Sequence, residues 1–268
     1  MASSSVISSS ESPLDRTWSA LRAAGRPALI PYLTAGFPSV DDSLAALKVA
    51  DAHADIIEVG VPFSDPLADG PTIQASTFRA LANGMTLPRT LELIARAELR
   101  SSVVLFSYFN PVLQYGVERL LADAAAIGVA GLLLTDLPAG ADPMVEQQVQ
   151  ASPLDLIRLV APTTAPLRVA SAVAGGQGFI YLVARLGVTG ASRELAGGLA
   201  ASVARVRAAT ALPIAVGFGI STAEQARVVG GLADGVIVGS ALIDVLGTQG
   251  VAAADRFLGG LRSAIETP

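Results

Sequence analysis

One glutamate and two aspartates stand where this apolar chain has least reason to carry charge. Glu58 closes the run Ile56-Ile57-Glu58-Val59. An ionised carboxylate there is costly unless it faces a polar cavity or pairs with an arginine at a rim, and the sequence leaves both readings open. Asp65 and Asp69 share the next segment, Val61-Pro62-Phe63-Ser64-Asp65-Pro66-Leu67-Ala68-Asp69-Gly70-Pro71. Its prolines stiffen the backbone and suggest that geometry is being held. The plainer alternative is Asp capping a turn, which is common beside Pro and Gly.

Other chemistries are excluded by what the chain lacks. Lys48 is the only lysine and His53 the only histidine, and both fall inside one helical stretch. A Schiff-base route, a His-ligated metal site and a Ser-His-Asp triad are therefore closed. Without cysteine there is no thiolate nucleophile, disulfide or cysteine metal site. No metal is expected, and acid–base work falls to carboxylates and tyrosines.

A second group of residues is built for close approach. Gly190, Gly217, Gly219, Gly239 and Ser240 follow three successive apolar runs. Glycine lets the backbone come near an anion, and amide groups with a helix amino terminus can bind phosphate without a cation. Ordinary turn glycines are the alternative.

These residues need a scaffold that brings separate loops to one end. Eight short runs recur: Ala28–Leu33, Asp55–Val59, Ser102–Ser107, Gly131–Thr135, Asp155–Val160, Gly178–Val183, Leu212–Val216 and Gly235–Val238. They are nearly continuous in apolar character, as parallel strands buried on both faces are. Helical stretches lie between them, among them one opening at Ser39 and reaching His53, one over Val117–Ile127 and one over Thr222–Val229. This rhythm over about 250 residues fits an α/β (β/α)8 TIM barrel, with a doubly wound open sheet as the alternative. An extra N-terminal helix, Leu14–Ala24, has Leu14, Trp18 and Leu21 on one face and could plug the amino-terminal end of the barrel.

In such a barrel the strand carboxy ends and following loops face the site. That rule gathers Thr34, Glu58, the Asp65–Asp69 loop, Tyr108, Asn110, Asp136, Pro138 and the glycines. Of 268 residues, 51% are apolar and 15% charged, enough for one large core, expected over 14–268 after a disordered serine-rich tail over 1–13. The net charge of −5 argues against nucleic acid or an anionic membrane as partner. No apolar stretch is long enough to span a membrane, and a cytoplasmic location is expected.

The ordered segment Glu58 to Gln74 closely resembles the signature of the tryptophan synthase alpha subunit family. Pro31–Gly36, Tyr108–Pro111, Gly187–Gly190 and Gly217–Ser221 support it, and the likeness runs from about residue 26 to residue 245. The resemblance implies a lyase that cleaves indole-3-glycerol phosphate to indole and glyceraldehyde 3-phosphate in tryptophan biosynthesis, with no cofactor. It implies Glu58 as general acid/base and Asp69 as second catalytic carboxylate. Tyr32, Phe106, Leu133 and Phe218 fall where the indole pocket is expected, and Tyr181 lines the substrate site. Thr189, Gly190, Gly217, Gly219, Gly239 and Ser240 complete the substrate-binding set at the phosphate end. After Gly190 the chain departs from the family pattern, at Ala191-Ser192-Arg193-Glu194 and Gly197-Gly198.

The resemblance also implies a partner, the pyridoxal-phosphate beta subunit, in an alpha-beta-beta-alpha heterotetramer. Pro62, Asp65, Pro66, Asn110 and Pro138 then form the docking rim. Rival readings are a stand-alone indole-releasing lyase, another phosphate-binding barrel of the same pathway, and a catalytically dead regulatory subunit. Keeping both Glu58 and Asp69 speaks against the last.

Overall fold

Strands that are apolar on both sides need cover on both sides, and a closed barrel ringed by helices supplies it. The computed structural model describes residues 11–161, 163–183, 192–217 and 219–266, the side chains of 192–197 excepted. The strands are β1 (Ala28–Thr34), β2 (Ile56–Gly60), β3 (Ser102–Ser107), β4 (Val129–Leu134), β5 (Asp155–Val160), β6 (Ile180–Val183), β7 (Ile214–Gly217) and β8 (Gly235–Val238). All pair in parallel in chain order, and β8 closes onto β1. This is the expected (β/α)8 barrel, not an open sheet.

The helices are α1 (Pro13–Ala24), α2 (Val40–His53), α3 (Pro71–Ala82), α4 (Leu87–Ala97), α5 (Phe109–Tyr115), α6 (Val117–Ala126), α7 (Pro143–Gln150), α8 (Val169–Ala172), α9 (Ser192–Arg207), α10 (Ala223–Gly230), α11 (Ser240–Gln249) and α12 (Val251–Glu266). Alternate strand residues point to opposite sides. Leu29, Leu33, Ile57, Val59, Leu132 and Leu156 pack in the layer shared with the helices. Ile30, Ile56, Val104, Leu133, Ile157, Phe179, Ala215 and Ile237 fill the barrel.

The first helix does plug that barrel. Leu14, Trp18 and Leu21 join the inner cluster, and the Trp18 ring meets Phe179 edge-on at 5.7 Å. The helix begins at Pro13, where Ser12 and Asp15 form a capping box. Among the described residues no helix is long and apolar enough to cross a membrane.

Several strand boundaries shift for local reasons. Asp55 sits just ahead of β2, where its carboxylate receives Arg26, Arg262 and the Leu29 amide. Gly178 precedes β6 in a left-handed turn at φ +65°. Pro213 has no amide to give the ladder, and β7 starts one residue after it.

Candidate active site

Along β2 the inward positions are Ile56, Glu58 and Gly60. Ile56 sits in the inner core, and Glu58 lies two residues further toward the carboxy end, in register with Tyr32 of β1 and Val104 of β3. Glu58 is 0% exposed, and neither carboxyl oxygen has a hydrogen-bond partner among the described residues. The arginine-paired reading is not realised there. Removing a lone carboxylate from water is costly, so the group keeps its proton instead: burial pushes its pKa up to about 8. At neutral pH Glu58 is an acid with a proton to give.

Asp69 comes to the same mouth on the loop after β2, residues 61–70. The loop is fastened from three sides. The Gln74 side-chain amide donates to the carbonyls of Pro66 at 3.3 Å and Asp69 at 3.0 Å. The Asp69 amide donates to Pro66 O at 3.1 Å. Tyr108, at the end of β3, accepts the Ala68 amide on its hydroxyl at 2.9 Å and lays its ring 5.2 Å from that of Phe63. Burial raises the Asp69 pKa to about 6, while hydrogen bonding to the Tyr108 hydroxyl pulls it down. Asp69 is therefore the more readily ionised of the two carboxyls.

Asp69 borders a cavity of about 350 Å3 with Tyr32, Phe106 and Tyr181 on its walls. Tyr32 meets Phe106 edge-on at 5.2 Å, and Phe106 meets Tyr181 at 6.5 Å. Both tyrosine hydroxyls fold back over strand glycines: a side chain at Gly60 would strike the Tyr32 hydroxyl, and one at Gly217 the Tyr181 hydroxyl. Burial raises the pKa of both tyrosines, and the charges of Glu58 and Asp69 add to it. They stay neutral.

The other end of the cavity is lined by Gly219, Ser221, Gly239, Ser240 and Ala241. Two helices begin beside it, and they differ. The Gln225 and Thr222 side chains cap the start of α10, taking the amides of Ser221, Thr222 and Gln225. Among the described residues no side chain caps the start of α11, and a helix start with free first-turn amides is suited to an anion. Gly219 holds φ at +84°, a conformation that disfavours any side chain.

Two expected residues sit elsewhere than on the cavity wall. Leu133 is 0% exposed and packs in the inner core under Phe106 and Tyr181. Gly217 supports Tyr181 from behind. Thr189, Gly190 and Phe218 lie outside the described residues. On the rim, Asp65, Asn110 and Pro138 are exposed while Pro62 and Pro66 are buried. Ile73, Thr135, Leu159 and Asp244 also line the cavity; Ile73 falls within the Glu58–Gln74 segment, and no motif marks the other three in the sequence. A larger cavity of about 470 Å3 adjoins through Thr135 and Leu159, but Asp69 lines only the smaller one.

A closed parallel barrel with two carboxyls of displaced pKa and an uncapped helix start at one mouth defines a TIM-barrel enzyme of the acid–base class. The family model described as "Tryptophan synthase alpha chain" matches residues 18–257, and the chain belongs to that family. The Roseiflexus castenholzii tryptophan synthase alpha chain is 50% identical, over 86% of this chain and 90% of the relative. That of a Picosynechococcus species is 46% identical, over 91% and 96%. The solved tryptophan synthase of Mycobacterium tuberculosis superposes with a TM-score of 0.87 at 38% identity, covering 97% of this chain and 100% of that one. The alpha subunit from Legionella pneumophila gives a TM-score of 0.87 at 32% identity, with 97% and 100% covered.

Proposed function

We propose that this mouth carries out the family's lyase reaction, retro-aldol cleavage of indole-3-glycerol phosphate to indole and glyceraldehyde 3-phosphate. The observation that carries the reading is a buried, unpaired Glu58 that stays protonated near neutrality beside an Asp69 that does not. The indole ring occupies the aromatic end, between Tyr32, Phe106 and Tyr181, and the phosphate takes the α11 amides with Gly219 and Gly239.

Protonation at the indole C3 carbon interrupts the ring's aromaticity and puts positive charge on its nitrogen. Asp69 accepts the N–H hydrogen bond and stabilises that charge. Glu58 gives the C3 proton. Its carboxylate then takes the proton of the adjacent side-chain hydroxyl, the C–C bond breaks, indole leaves and the aldehyde forms. The two transfers return Glu58 to its starting state, and no cofactor takes part. Since Glu58 is sealed below the cavity, a rotamer change must bring its carboxyl up to the substrate.

The partner reading has its own support. Leu67, Leu113, Met144 and Leu167 are exposed at 92%, 47%, 69% and 98%, and they follow β2, β3, β4 and β5 in turn. Large apolar side chains bared in the segments that follow four successive strands favour a protein partner at this face. A pyridoxal-phosphate beta subunit docking over Asp65, Asn110 and Pro138, in an alpha-beta-beta-alpha assembly in the cytoplasm, is the arrangement we infer.

The test is an indole-release assay on indole-3-glycerol phosphate, with and without that beta subunit. Slow release alone and strong acceleration by the partner is the expected result. Full activity alone would favour a stand-alone lyase, and no release in either case would overturn the reading.

A further inference from the structure

The phosphate end of the cavity holds a charge of the wrong sign. Among the described residues that line the cavity, the only charged ones are Asp69 at the indole end and Asp244 at the other. Asp244 lies on α11 four residues after Ser240, so both share one helix face above the amides assigned to the phosphate. Its backbone carbonyl receives the Thr248 hydroxyl at 2.6 Å, but among the described residues no cation pairs with its carboxylate. The side chain is exposed, so it keeps its hydration and the helix tolerates it.

A phosphate monoester is mostly dianionic at neutral pH, because its second pKa is near 6. The helix start attracts that charge, and a carboxylate one turn away opposes it. We propose that Asp244 is a specificity-determining residue that weakens the hold on the phosphate, so that the ester is retained by its apolar end as well and the small phosphorylated product leaves readily. A ligand that is phosphate and little else gains the amides but meets the repulsion uncompensated. A ligand that also fills the aromatic end makes up the difference there. The inference rests on the reading of this cavity as a phosphate-ester site.

The experiment compares wild type, Asp244→Asn and Asp244→Lys by calorimetric titration with glycerol 3-phosphate, inorganic phosphate and indole. At low salt the Asn variant should bind both phosphates about threefold tighter, and the Lys variant about tenfold tighter. The gaps should shrink at high salt, since exposed charges are screened over about 10 Å at moderate ionic strength. Indole affinity should stay within error across the three, which also establishes that the variants are folded with the aromatic end intact. Equal phosphate affinities, or a gap that salt leaves unchanged, overturn the role of Asp244. If wild type binds indole but neither phosphate, in any salt, the phosphate-ester reading itself fails and takes this inference with it.

Discussion

The hydroxyl of Tyr108 accepts the Ala68 amide at 2.9 Å, one residue ahead of Asp69. One side chain from the end of β3 thus pins the loop after β2 beside its functional carboxyl, and its ring on Phe63 holds the loop's other end. The same hydroxyl pulls the Asp69 pKa down against burial. Tyr108→Phe keeps the ring and removes only the hydroxyl. The Asp69 pKa should then rise, moving the acid limb of the kcat/KM profile to higher pH, and kcat should fall about tenfold, the scale of one good hydrogen bond. An unmoved acid limb would show that the hydroxyl does not act on Asp69.

For Glu58→Gln, cleavage should fall by about 10²–10⁴-fold while substrate still binds, because a positioned acid/base is lost. The chain's only histidine, His53, cannot take over, since it pairs with Asp255 at 2.7 Å on the outer helices. Activity within threefold of wild type would place the proton transfer elsewhere.

Stability against pH gives an independent test of the same carboxyl. The folded pKa of Glu58 is raised from 4.5 to about 8, so the folded protein holds a proton that the unfolded chain releases. Its contribution is fully present below about pH 4.5, declines as pH rises, and is lost once pH has passed about 8. Glutamine cannot ionise, so Tm of Glu58→Gln relative to wild type should climb steadily between those limits. A pH-independent difference would mean that Glu58 is solvated or paired in solution.

In Asp69→Asn the neutral amide cannot stabilise charge on the indole nitrogen as a carboxylate does. Loss of such a group costs about 3–4 kcal/mol of barrier, read as a drop in kcat. A raised KM at unchanged kcat would make Asp69 a ground-state binding group. With the Asp69 pKa near 6 and that of Glu58 near 8, wild-type kcat/KM should peak between them and decline on either side.

Much of this arrangement can be read from residue types alone. Strands buried on both faces leave continuous apolar runs, and Glu58 stands out because it interrupts one. The glycines at 217, 219 and 239 stand out by their place after such runs. What escapes is whatever depends on a neighbour distant in sequence. Leu133, in register with Phe106, belongs to the core and not the cavity wall because it packs into the inner cluster against which Phe106 lies. Leu159 reaches the wall from a strand whose composition is ordinary. The Tyr108 bond joins residues forty apart. That the start of α10 is capped turns on Gln225 folding back onto Ser221 and Thr222.

Contact at the rim has a route to the chemistry through the loop that carries both Asp65 and Asp69. Asp65 is exposed, and its carboxylate receives the Ser64 hydroxyl at 2.5 Å. Behind it a short relay of backbone bonds leads inward. The Asp65 carbonyl accepts the Leu67 amide at 2.9 Å, and the Pro66 carbonyl accepts the Asp69 amide at 3.1 Å. Gln74 bridges Pro66 and Asp69 from the start of α3. Proline on either side of Asp65 and Phe63-Ser64 leaves the segment few ways to yield, so displacement at Asp65 moves Asp69. A small misplacement of a catalytic group can cost about 10²-fold in rate, and docking that corrects it returns the same factor. Asp65→Ala should therefore keep the slow basal cleavage yet lose most of the acceleration by the beta subunit. Because binding free energies are reciprocal, substrate should also tighten beta-subunit binding less in the variant than in wild type. If Asp65→Ala is accelerated as fully as wild type, the signal enters through another part of the rim, with Asn110 and Pro138 the next positions to change.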